Sequence, residues 1–467
     1  MAPAAQARAG ARRAAAAVDD ATLAVVVVMV ALGVRLAFAL SRRDAEVGGD
    51  AFYFHEQAGL IADGKGFVEP LAYAVDGVER AAADHPPLYS AYLAVWSFLG
   101  AGTPTWHLVA SALLGTAAVV LVLTAGRRLA GPRAGLLAGL AAALHPNLWL
   151  WDGMLLSETI TAFTVALVLW CAVRVLEDPT LARLAATGAA IGLAALARSE
   201  MVLLLVVLVP LARRRPSGGP GGGRLAAGAL GLVAAVAVVV PWAAYNQTRF
   251  THPVPLSTGA GLVLVSSNCE STYSGTLIGY WDYQCSLDGT VRAGIGPDAE
   301  PSEADRALRD DAVAFARDNP GDLPAVAAAR LGRVTGLFRP FQQAELASFR
   351  EGLPSWAATA GLGSWYLLVA LAAVGAWDLR RRGVPVGPLL APLVVVLAVA
   401  VLVYGIWRFR VPGDVAVCLL AGVGADVLLR RWLEGGAGPR PTDGLAGAAQ
   451  AVEAEAEAGT AAATAAS

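Results

Sequence analysis

Five short stretches carry residue types able to work on a charged substrate with a poor nucleophile. Gly48-Gly49-Asp50-Ala51-Phe52-Tyr53 places a carboxylate directly after two glycines, and Asp84-His85-Pro86-Pro87-Leu88-Tyr89 places an acid beside an imidazole. Ser157-Glu158 opens one apolar run and Arg198-Ser199-Glu200 interrupts another, while Trp407-Arg408-Phe409-Arg410-Val411-Pro412 carries two guanidiniums. A carboxylate within hydrogen-bond reach of a hydroxyl acts as a general base and contributes roughly 10²- to 10⁴-fold. Guanidiniums match phosphate oxygens and stabilise charge that develops on a departing phosphate. Asp50 and Glu158 are therefore the candidate catalytic acids, with Asp152 a weaker substitute for Glu158. Arg408, Arg410, Arg198 and His85 are the candidate anion ligands. Each has a plainer alternative: Asp50 as a helix cap, Glu158 as an acid in a first helical turn, Arg198 paired with Glu200, and Arg408 and Arg410 paired with lipid headgroups or Asp414.

The elements that must position these residues are set by composition. Of 467 residues, 56% are hydrophobic and 15% charged, and the mean hydropathy is +0.57, far above a water-soluble domain. The net charge of -2 leaves no basic stripe for nucleic acid. Apolar blocks of membrane-spanning spacing run from Ala21 to Leu40, Trp106 to Ala125, Ala134 to Leu150, Thr159 to Leu176, Leu184 to Ala197, Met201 to Leu211, Leu225 to Trp242, Ala357 to Ala376, Val386 to Val403 and Val415 to Leu429. The pattern predicts an all-α polytopic membrane protein with about ten crossings and two extracytoplasmic loop regions. Two blocks flanking Arg198-Ser199-Glu200 are each too short for a ~30 Å hydrocarbon core, and a hairpin is expected there. Arg127, Arg128 and Arg133, Arg213 to Arg215, Arg380 to Arg382, and Arg430 with Arg431 then all fall on the side of the N-terminal tail, which the positive-inside rule makes cytoplasmic.

The expected organisation is a cytoplasmic tail without structure (1–20), a transmembrane module (21–242) that includes a first outer loop (41–105), an extracytoplasmic loop domain (243–356), C-terminal helices (357–432) and a second cytoplasmic tail (433–467). Pro216 to Gly223 reads as a linker. Within the outer domain, Leu323 to Phe338 shows Val326, Leu331, Val334 and Leu337 at helical spacing. All five histidines map to the outer side, as do Asp50, Asp84 and Glu158. Asp50, His55 and His252 are candidate ligands for a divalent metal ion, although no spacing demands one. Cys269 and Cys285 lie in one outer loop, where a disulfide is expected.

The order and spacing of these motifs resemble the GT-C glycosyltransferases, in particular bacterial protein O-mannosyltransferases and lipid A aminoarabinose transferases. The resemblance rests on a first apolar helix, Gly49-Asp50 followed by Tyr53, Ala62-Asp63-Gly64-Lys65-Gly66-Phe67, His85-Pro86-Pro87-Leu88-Tyr89, His145-Pro146 with Ser157-Glu158, and Trp407 to Pro412. It implies a hexosyl- or pentosyltransferase that moves a sugar from a polyprenyl-phosphate-linked donor to a hydroxyl of a lipid, glycan or protein, with Asp50 as general base, Glu158 as a second acid, Arg408, Arg410, Arg198 and His85 on the donor phosphate, and inversion of the anomeric centre. It also implies a multi-pass protein of a bacterial cytoplasmic membrane with its site on the outer face. A transporter or lipid flippase is the alternative, and would instead place ionisable groups near the bilayer midplane.

Overall fold

The computed structural model describes residues 2–214, 223–296 and 298–433, with side chains from residue 20 onward. Helices are the regular structure of the described residues, apart from a single bridge between Val68 and Ala81. Six helices are long and apolar enough to cross a membrane: Asp20–Ser41, Pro104–Ala130, Glu158–Glu177, Arg224–Asn246, Ser355–Arg381 and Trp407–Leu433. Four shorter apolar helices, Pro132–Leu144, Leu181–Ala197, Ser199–Ala212 and Gly387–Leu402, account for the other expected blocks. The chain is a multi-pass membrane protein.

Local sequence explains the interruptions. Thr103 and Thr180 accept hydrogen bonds from the first turns of Pro104–Ala130 and Leu181–Ala197. Pro132–Leu144 stops because Pro146 disfavours helical backbone at His145, which is extended (φ -68°, ψ 115°). Helix Leu181–Ala197 ends at Arg198, also extended (φ -149°, ψ 127°), and a 3₁₀ stretch follows. The distal part of that stretch returns against Leu181–Ala197, so the expected hairpin forms.

The last span lies at the centre of the bundle, with 89% of its apolar window buried, whereas Asp20–Ser41 and Arg224–Asn246 bury only 28% and 22% and form the lipid-facing periphery. Helix Ser355–Arg381 meets the last span backbone to backbone at Gly375 and Gly424, where an added Cβ would collide with the partner's main chain. Inside the bundle Arg35 pairs with Asp152 at 2.9 Å and donates to the carbonyls of Ala142 and Ala143. Asp152 is thus a packing partner of the first span, not a substitute for Glu158. At one end of the bundle the arginine clusters meet acids: Arg128 reaches Glu177 at 2.9 Å, and Arg133 and Arg430 share Asp426. The candidate residues lie at the opposite ends of these same helices.

Residues 243–356, expected as an extracytoplasmic domain, consist of short helices, including Pro301–Asp318, Leu323–Val334 and Pro340–Glu351, and carry the expected Cys269–Cys285 disulfide. Helix Leu323–Val334 buries Val326 and Val334 as expected, but its inward face also takes in charge. Arg330 and Arg333 turn inward to donate to carbonyls of Ser267, Val401 and Ile278, while Leu337 stays exposed. At the N-terminus the backbone is helical from Ala2, where a tail without structure was expected; the Ala-rich composition of residues 2–17 favours helix. The expected second tail from 434 onward and most of the Pro216 to Gly223 linker lie outside the described residues.

Candidate active site

Four chain segments picked out in the sequence, joined by helix Pro340–Glu351, deliver charged side chains to one cluster at the end of the bundle away from the arginine-rich tips. Asp50 is the first residue of helix Asp50–Ala62, reached through Gly49 at φ 58° and ψ -134°, a conformation that only glycine adopts readily. Glu158 is the first residue of Glu158–Glu177. Arg198 sits at the extended break of the hairpin, and Arg408 lies in a single 3₁₀ turn, Trp407–Arg410, ahead of the last helix.

Arg408 is the hub. Its Nη2 donates to Asp50 Oδ2 at 2.7 Å, its Nε to Glu158 Oε1 at 2.8 Å, and its Nη1 to Glu351 Oε2 at 3.2 Å. All three nitrogens of one guanidinium therefore carry a different carboxylate. Arg198 extends the network, with Nη1 2.8 Å from the same Glu158 oxygen and Nε 2.7 Å from Glu200, its guanidinium stacked on Phe409 at 4.1 Å. Glu351, at the end of helix Pro340–Glu351, had not been singled out in the sequence because it lies in a polar amphipathic stretch where acids are common.

The three acids around Arg408 are not equally accessible. Asp50 exposes 39% of its side chain, Glu351 14% and Glu158 1%. The exposed side of Asp50 faces a cavity of about 1280 Å³, also lined by His85, Arg198, Glu200, Glu351 and Arg408. His85 packs its ring against Tyr53 and Phe54, centroids 4.9 and 4.7 Å apart, and brings Nε2 within 3.7 Å of Asp50 Oδ1. Burial by itself would raise the Asp50 pKa, but Arg408 and then His85 overcome it and hold the carboxyl at about 2. For Glu351 burial wins: its pKa is raised, with Arg408 opposing and the neighbouring Glu158 and Asp50 adding to the rise. Asp84 is likewise raised by burial, against the influence of His85.

Three expected site residues lie elsewhere. Arg410 is buried away from the cavity: its Nε meets Asp414 Oδ1 at 2.8 Å, its Nη1 donates to Val334 O at 3.0 Å, and the guanidinium stacks on Trp365 at 3.7 Å. It fastens the start of the last helix to its neighbours. His55 faces away from Asp50's cavity and pairs with His107, Nδ1 to Nδ1 2.9 Å. His252 engages Ser302 through its backbone N–H. The residues do not fit the expected metal site, because Asp50, His55 and His252 do not converge. Among the described residues no three His, Cys, Asp or Glu side chains group to hold a metal ion, and no step below is routed through one.

Residues 84–245, roughly a third of the chain, match the family model of dolichyl-phosphate-mannose-protein mannosyltransferase. No curated protein matches the chain in sequence. Among solved structures, the archaeal oligosaccharyltransferase AglB from Archaeoglobus fulgidus, in complex with an inhibitory peptide and a dolichol-phosphate, aligns over 90% of this chain and 52% of its own, with 14% identity and a TM-score of 0.53. The apo form of the Archaeoglobus fulgidus oligosaccharyltransferase aligns over 93% and 54%, with 14% identity and the same TM-score. ArnT from Cupriavidus metallidurans, bound to undecaprenyl phosphate, aligns over 88% and 78% with 18% identity and a TM-score of 0.39. The chain thus spans about half the length of the archaeal enzyme whose fold it shares. The family match is thus confined to residues 84–245, and the chain shares its helical fold with the archaeal oligosaccharyltransferase.

Proposed function

We propose that the chain transfers a sugar from a polyprenyl-phosphate-linked donor to a hydroxyl acceptor at the outer face of a bacterial cytoplasmic membrane, inverting the anomeric centre. The observation that carries the reading is the Arg408 hub, which joins a cavity-facing carboxylate to a guanidinium suited to a departing phosphate. The positive-inside tendency supports the sidedness, since the arginine-rich tips lie at the other end of the bundle. The archaeal structure of the same fold was solved with a dolichol-phosphate, which supports a lipid phosphate as the donor's carrier.

In the proposed reaction the acceptor oxygen attacks the anomeric carbon, the bond from that carbon to the phosphate oxygen breaks, and the lipid phosphate leaves with the electron pair. Asp50 takes the hydroxyl proton and returns it to solvent through the cavity. Glu158 holds Arg198 and Arg408 in place from beneath, and His85 steadies Asp50. A carboxyl at about 2 is a weak base at neutral pH. Asp50 therefore becomes effective once its contact with Arg408 is broken, and the incoming phosphate, which competes for the same guanidinium, is the natural agent. The acceptor is a lipid, a glycan or a protein hydroxyl.

The test is glycan and lipid-linked-sugar analysis of a strain lacking the gene, complemented with the wild type or with Asp50→Asn. Wild type restores the missing glycoconjugate and the variant, expressed to the same level, does not. Full restoration by Asp50→Asn removes Asp50 from the role of base.

A further inference from the structure

Six arginines line the cavity: Arg42, Arg43, Arg80, Arg198, Arg350 and Arg408. Five of them face an acid. Arg43 pairs with Asp44 at 3.1 Å and Arg80 with Asp298 at 3.0 Å. Arg198 and Arg408 belong to the carboxylate network described above, and Arg350 lies 3.8 Å from Asp282 and stacks on Trp281 at 4.9 Å. Arg42 makes no ion pair with any described residue, and its Nε is shut away from solvent with nothing to donate to.

A half-buried guanidinium without an anion is disfavoured, because its N–H groups lose water without gaining an acceptor. It lies at the end of the bundle opposite the tips that hold Arg128, Arg133 and Arg430. Its position is informative. Arg42 follows the first span in a turn closed by its N–H on Ala39 O at 3.0 Å. Its Nη2 lies 3.6 Å from where a Cβ on Gly352 would stand. Gly352 follows Glu351, which occupies Nη1 of Arg408. Arg42 thus reaches the residue after Glu351 on the wall of the same cavity that Asp50, Glu351 and Arg408 line.

We propose that Arg42 is a ligand for the phosphate of the lipid-linked donor, the cation that receives the headgroup while Arg408 is still occupied by carboxylates. The inference rests on the reading of the cavity as the site of a polyprenyl-phosphate-linked donor. A phosphate offers several oxygens, and a second guanidinium beside the first satisfies those that one fork leaves open. Arg42 also adds a positive charge to the cavity wall when an anion displaces a carboxylate from the hub.

The experiment measures binding of undecaprenyl phosphate, and of uncharged undecaprenol as a control, to the purified full chain in nanodiscs. Wild type, Arg42→Gln and Arg42→Lys are compared, with melting temperature recorded for each. The expected result is about a tenfold weaker affinity for the phosphate in Arg42→Gln, partial recovery in Arg42→Lys, and no change for undecaprenol. Wild-type affinity for the phosphate in Arg42→Gln overturns the proposal, as does an equal loss for undecaprenol, which marks a packing role. If the wild type itself does not prefer undecaprenyl phosphate to undecaprenol, the reading of the cavity fails as well, so the two failures are distinguishable.

Discussion

Asp50→Asn should move binding and turnover in opposite directions. In the resting site the Asp50 carboxylate occupies Arg408 Nη2 at 2.7 Å, so it competes with any phosphate that needs that guanidinium. The lowering of its pKa from 3.8 to about 2 corresponds to about 2.4 kcal/mol of preferential stabilisation of the charged form. Because 39% of the side chain is exposed, solvent screening reduces the usable part to about 1 kcal/mol, or about fivefold in a binding constant. Removing the charge while keeping the shape should therefore tighten binding of undecaprenyl phosphate by about fivefold, while sugar transfer falls by about 10²- to 10⁴-fold with the loss of the base. The sign with pH follows from the lowered value. The carboxylate competes above its folded pKa and ceases to compete only as pH falls through about 2. The affinity ratio of variant to wild type should consequently be flat between pH 5 and pH 8, the phosphate's own titration cancelling in the ratio. Isothermal titration in nanodiscs reads both quantities. Equal or weaker binding in a folded Asp50→Asn protein, or a ratio that changes across that window, would refute the competition argument.

Gly49→Ala isolates backbone strain: no atom lies within 4 Å of an added Cβ, yet φ of 58° with ψ of -134° should cost about 1–3 kcal/mol in an L-residue. Turnover should fall at least about tenfold as Asp50 is displaced, with only a small drop in melting temperature, whereas Gly48→Ala should behave like wild type. Arg410→Gln leaves buried Asp414 without its 2.8 Å partner and should destabilise by about 3 kcal/mol. The affinity of the folded fraction for undecaprenyl phosphate should stay unchanged, which a thermal-shift series run beside the binding assay will show. Replacing Cys269 and Cys285 by Ser opens a bridge of sequence separation 16 and should lower outer-domain stability by about 3 kcal/mol in the chain-entropy model. Limited proteolysis of the outer segment should detect it, and unaltered protease resistance would contradict it.

The membrane helices are legible because hydrocarbon leaves few options: a backbone that cannot hydrogen-bond to lipid must bond within the helix, so apolar blocks and spans coincide. The charged residues at the ends of those blocks are legible for a related reason, since ionisable groups near hydrocarbon persist only where partners or a cavity receive them. Asp50, Glu158, Arg198 and Arg408 meet accordingly. What periodicity did not resolve is direction. Arg408 and Arg410 are two residues apart in a 3₁₀ turn, about 240° around its axis, so one enters the cavity and the other the packed interior. His55 stands five residues beyond Asp50 on one α-helix, about 140° away, and turns to His107 instead. Arg330 and Arg333 spend their guanidiniums on loop carbonyls, a use of buried arginine that depends on where distant turns come to rest. Arg42 and Glu351 lie beside the membrane boundary among other charges, and only their joint approach to Arg408's neighbourhood separates them from solvated surface residues.

A cation enclosed by three acids looks at first like a poor place to receive another anion, but the balance of charge runs the other way. Arg408 exposes only 12% of its side chain, and a buried guanidinium stripped of partners would be costly to hold in place. The carboxylates keep it fixed and desolvated in the resting enzyme. When a phosphate replaces the most exposed of them, one anion is exchanged for another, so the cluster need not bury a new uncompensated charge. In the proposed reaction the displaced acid is Asp50, so the event that seats the leaving group would also free the base. Glu158, with 1% exposure and two guanidiniums on one oxygen, is the member least able to leave, which suits a fixed support. On the proposed reaction, the different accessibilities of these carboxylates divide their roles: the cavity-facing acid would move protons and the enclosed acid would keep the arginines aimed.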